Sequence, residues 1–110
     1  MGRYISNTGT VTTAIRNVNS NYTAEVNDRI ICDSSCGSFT ITLPPNADLL
    51  VEDVIQFIDV TGNFTTNNVT VARNGSLIAG LAEDLTLDFN GAIVTLMYSG
   101  ETYGWIIVGT

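Results

Sequence analysis

The stretch Asp28-Arg29-Ile30-Ile31-Cys32-Asp33-Ser34-Ser35-Cys36-Gly37-Ser38-Phe39-Thr40-Ile41-Thr42-Leu43-Pro44-Pro45 decides the class of fold. Residues 38–43 alternate strictly, with Phe39, Ile41 and Leu43 on one side and Thr40 and Thr42 on the other. Successive side chains of a strand point to opposite faces, so this period sets three apolar groups toward a core and hydroxyls outward. Residues 29–33 form a second short apolar run. Between the runs, Gly37 accepts the positive φ that reverses a chain. Pro44-Pro45 then stops the second run, because proline has no N–H for a ladder. The pattern predicts a β-hairpin with a stop.

Working outward, the composition supports an all-β chain of one domain. At 110 residues it can bury a real core. Hydrophobic residues make up 45% and charged residues only 14%, which argues against disorder. Thr, Ser and Asn fill the polar positions and Lys is absent, so helix formers are scarce and strand and turn residues abundant. Further strands are expected at residues 22–26, 53–60, 69–73, 76–81, 85–89, 92–98 and 103–109. Turns are expected at Thr61-Gly62-Asn63, Asn74-Gly75, Asn90-Gly91 and residues 99–102. Asn-Gly is the strongest short hairpin signal. A turn of helix is expected near residues 48–51, and a dense apolar pattern at residues 53–60 predicts a strand covered on both faces. Such spacing fits a compact antiparallel β-sandwich or small barrel, jelly-roll-like in outline.

Residues 1–21 read differently from residues 22–110. The segment is polar and thin in apolar groups, which predicts an extended arm with a short strand near residues 10–16. An arm that cannot bury itself is expected to lie on a neighbouring subunit or on another protein. Its candidate attachment residues are Arg3, Tyr4, Ile5, Val11, Ile15 and Arg16.

Charge and chemistry exclude several functions. The net charge is −7, and the only cations are Arg3, Arg16, Arg29 and Arg73. Gripping nucleic acid requires neutralising phosphates, and anionic lipid makes the same demand, so neither partner is expected. No apolar run approaches the roughly 20 residues of a membrane span, and no signal-peptide core is read at the N-terminus. There is no His, the usual base for a Ser or Cys nucleophile and the commonest metal ligand. Two Cys without His do not make a structural zinc site. Of the carboxylate pairs, Glu52-Asp53 and Glu83-Asp84 sit at bends, and adjacent strand residues face opposite ways. Asp59-Val60-Thr61-Gly62-Asn63 carries only a fragment of a calcium loop. No catalytic residue, metal ligand or cofactor is assigned. Cys32 and Cys36 admit a disulfide across the turn, or two free thiols with Cys32 buried as a small apolar residue; without a secretion signal the free thiols are favoured. Tyr98, Tyr103 and Trp105 gather at the last hairpin, where they either stack on a receptor or glycan or pack as core.

The motifs in order carry a resemblance. Tyr22-Thr23-Ala24, then residues 28–33, then residues 37–44, then Gly62-Asn63-Phe64 with Asn67-Asn68-Val69-Thr70-Val71, Arg73-Asn74-Gly75, Glu83-Asp84-Leu85, Val94-Thr95-Leu96 and Tyr103-Gly104-Trp105, together resemble a small β-module of tailed-bacteriophage virion proteins. The resemblance covers about residues 22–108. It implies a compact, trimeric, non-catalytic β-sandwich or barrel located in the virion, as in tail fibres, knobs and capsid decoration proteins. The implied partners are copies of the chain itself and other virion proteins, either the major capsid protein or tail proteins. One module with one arm suits capsid decoration; a tail-fibre or baseplate module is the second reading, and a carbohydrate-binding module the third. Cys36 departs from the pattern, which has a small residue such as Ala there.

Overall fold

A computed structural model of the chain describes residues 14–109. The described residues form nine strands, β1 Ala14–Val18, β2 Tyr22–Thr23, β3 Asp28–Cys32, β4 Phe39–Thr42, β5 Val54–Asp59, β6 Val69–Ala72, β7 Leu85–Leu87, β8 Ile93–Tyr98 and β9 Trp105–Gly109. A single 3-10 turn at Asn46–Asp48 is the only helical element among the described residues. The all-β expectation holds.

The strands form two mixed sheets, ordered β1-β3-β5-β8-β9 and β2-β4-β6-β7. Successive strands from β1 to β6 alternate between the sheets, so each lies parallel to the strand two before it. Parallel neighbours need a crossover, and here the crossover is a strand of the opposite sheet. The first half of the body is thus a flattened coil. β7, β8 and β9 then close it with antiparallel pairs.

This corrects the central expectation. β3 and β4 are not a hairpin: β3 pairs with β1 and β5, and β4 with β2 and β6. Residues 34–37 are instead a corner between sheets. The Asp33 carboxylate accepts from the Ser35 backbone N–H at 3.0 Å and its hydroxyl at 2.6 Å, and Asn67 Nδ2 donates to the Ser34 carbonyl at 2.8 Å. The antiparallel arrangement expected throughout is likewise replaced by mixed sheets. Asn90-Gly91 joins β7 to β8 across the sheets and is no hairpin either. Asn74 (φ 49°) and Gly75 (φ 92°) do adopt the two positive φ values of a type I′ turn. Beyond that turn, residues 76–81 are a loop with isolated bridges at Ile78, and the partner of β6 is β7. The last hairpin, β8 with β9, forms as expected.

Alternation explains the core. β3, β4, β5 and β6 each bury every second residue, and Ile30, Ile41, Ile55, Phe57, Val69 and Val71 are fully buried in one cluster drawn from both sheets. β5 buries one face and leaves the other half-buried, so the strand expected to be covered on both faces is fully covered on one. Phe64 is fully buried below the β5–β6 corner.

Within the expected arm, β1 pairs with β3 along its whole length and Val18 enters the core.

Candidate functional site

Two carboxylates are buried, and both hold the backbone. Asp28 accepts from Tyr22 Oη at 2.8 Å, the Glu25 N–H at 2.9 Å and Arg16 Nε at 3.3 Å. Burial, then the bond to Asp28, pushes the Tyr22 phenol up to about 12. The bond to Asp28 is the main cause that raises Arg16. The Arg16–Asp28 bond is therefore a latch between β1 and β3, and Tyr22 ties β2 to the same carboxylate. Asp59, at the end of β5, receives four backbone N–H groups: Gly62 and Asn63 on Oδ1, Phe64 and Gly91 on Oδ2. Burial works to raise its pKa, yet these four donors outweigh it and leave the carboxyl below its usual range. The loop that had a calcium-like fragment is thus organised by N–H groups donating to Asp59.

The other sequence candidates disperse. Arg3, Tyr4, Ile5 and Val11 lie outside the described residues. Ile15 is exposed on β1. Trp105 is fully buried and meets Tyr98 edge to face, with ring centroids 5.6 Å apart. Tyr98 donates through Oη to Asn46 Oδ1 at 3.0 Å, where Ser76 Oγ also donates. Only Tyr103 is exposed, so the three aromatics form no stacking platform, and Tyr98 and Trp105 take the core-packing alternative. Of the paired carboxylates, Asp53 accepts from the Leu50 N–H and Asp84 from the Arg73 N–H, while Glu52 and Glu83 are exposed. Cys32 and Cys36 are free. Cys32 is buried, and burial pushes its thiol up to about 12, whereas Cys36 is exposed. No three His, Cys, Asp or Glu side chains gather as a metal site among the described residues.

The feature that stands out is a groove between β7 and β9, which are edge strands of different sheets. Two adjoining hollows of about 120 and 150 Å³ share Leu85 and Ile107 and are otherwise lined by Leu81, Phe89, Ala92 and Val94 among others. Phe89 is 73% and Ile107 43% exposed, and Leu81 is also exposed within the groove. Glu83, Asp84 and Asp88 rim it, without an ion-pair partner among the described residues. Sequence reasoning missed this surface. Leu85, Leu87 and Phe89 alternate as one inward face would, but β7 ends at Leu87 and releases Phe89 to the outside.

Comparison with known proteins finds no family model and no curated protein that matches the chain.

Proposed function

We propose that this chain is a non-enzymatic structural module of a tailed-bacteriophage virion, a homotrimer on the particle exterior, of the capsid-decoration type. Its two sheets are read as the layers of a β-sandwich. The observation that carries the reading is the apolar groove left open at β7, β9 and Phe89 on an acidic body. A soluble body keeps such a surface when a partner covers it, and a closed ring of identical copies also removes sheet edges from solvent. The ordered motifs of residues 22–108 favour a virion as the setting. The buried carboxylates serve the backbone, which suits a structural part better than a catalyst.

The test is immunolabelling of intact particles from the source with antibodies against the recombinant chain, paired with sedimentation equilibrium of that chain. Capsid labelling and a trimeric mass are expected. Labelling confined to tails assigns the module to fibres or baseplates, and an absence of labelled particles overturns the virion reading.

A further inference from the structure

The groove between β7 and β9 and the first 13 residues have complementary chemistry. Residues 1–13 contain Arg3 and no acid, with Met1, Tyr4, Ile5 and Val11 as their large apolar groups, while residues 14–110 hold all 11 Asp and Glu. The groove offers an apolar floor at Leu81, Leu85, Phe89 and Ile107, with three carboxylates along its rim. Arg3 and Ile5 fall on one side of an extended chain, so one segment supplies a cation for the rim and an aliphatic group for the floor.

Topology favours the groove of a neighbouring copy. The described chain begins at β1, one edge of the five-stranded sheet, and the groove borders β9, the opposite edge. Four strand spacings of about 4.8 Å separate these edges, or roughly 19 Å, before the chain turns the corner. When copies associate head to tail, the β1 edge of one faces the β9 edge of the next, and repeated rotation closes a ring. The segment then enters the adjacent groove directly, without crossing its own sheet. An extended run of 13 residues reaches about 43 Å, ample for that path.

We infer that the β7–β9 groove is the seat for residues 1–13 of a neighbouring copy of this chain, with Arg3 at the carboxylate rim and Ile5 on the apolar floor. The inference rests on the self-assembly part of the function proposed above and is independent of its virion part. Its failure is therefore separable from that of the particle-labelling experiment.

The test uses the full chain with photoreactive benzoylphenylalanine at position 5. Isotopically heavy and light copies are mixed while denatured, refolded together, irradiated and mapped by mass spectrometry. Cross-links to peptides carrying Leu81, Phe89 or Ile107 are expected, half of them joining a heavy to a light copy. Cross-links confined to like isotopes place the segment in its own groove and overturn the exchange; cross-links to other surfaces overturn the site. Arg3→Glu should cut the groove yield about threefold or more, and Glu83→Arg in the same chain should restore it. Glu83 is exposed and position 3 lies outside residues 14–109, so neither change touches the described core. An unchanged yield in Arg3→Glu removes the charge complementarity and, with it, the assignment.

Discussion

Asp59 shows most directly how one residue holds this fold. Its two oxygens fasten the β5–β6 corner to the turn before β8 through four N–H donors. Because its folded pKa is depressed, its contribution is present above the unfolded value near pH 4 and is lost as pH falls below it. Asp59→Asn should cost about 2–4 kcal/mol at neutral pH. It should also flatten the acid limb of stability, measured by urea unfolding at a series of pH values. Cys32 offers a second check. With Cys32 buried and its thiol raised to about 12, and Cys36 exposed, one thiol per chain should react with a disulfide reagent under native conditions and the second only on unfolding. Equal, rapid reaction of both would contradict the burial. The roles of these residues were legible only in part: a small buried Cys was readable, whereas the donors around Asp59 come from residues 62–64 and 91, which no local pattern ties together.

Among the elements, the β8–β9 hairpin is the one the sequence announces and the structure keeps, and Gly104 sets its geometry. Gly104 has φ +71°, and a Cβ there would collide with the Leu77 carbonyl oxygen, the same oxygen that accepts from the Trp105 N–H. Gly104→Ala should therefore destabilise by about 3 kcal/mol or more, combining strain at a positive φ with a backbone clash. Thermal unfolding measures it, and a loss below about 1 kcal/mol would show that the loop at Leu77 moves freely aside. By contrast, β3 and β4 carry clean strand patterns and lie in separate sheets. Alternation reports that one face is buried, but either a hairpin or two stacked sheets satisfies it. Gly37 and Asn90-Gly91 are similarly ambiguous, because a chain reversal inside one sheet and a corner between sheets both use positive φ.

For the whole molecule, the consequence lies at the N-terminal side. Deletion of residues 1–13 should leave a cooperatively folded body, because β1 and the Arg16–Asp28 latch remain. Deletion of residues 1–21 strips β1 from β3, removes Val18 from the core and leaves buried Asp28 without Arg16, and it should lower stability by about 3–5 kcal/mol. Circular dichroism melts of the two truncations decide the matter, and equal melting would mean that β1 adds nothing to the body. By itself the sequence determined the all-β class, the run of short strands, the inward residues of β4 and the acidic, His-free composition. Each of these is set by local period and composition. Only the tertiary structure decided that the strands wind alternately between two mixed sheets, that Trp105 and Tyr98 are core, and that Phe89 and Ile107 face outward over a groove. Those outcomes depend on which strands become neighbours, a choice among pairings that bury nearly the same side chains and so leave the same period in the sequence.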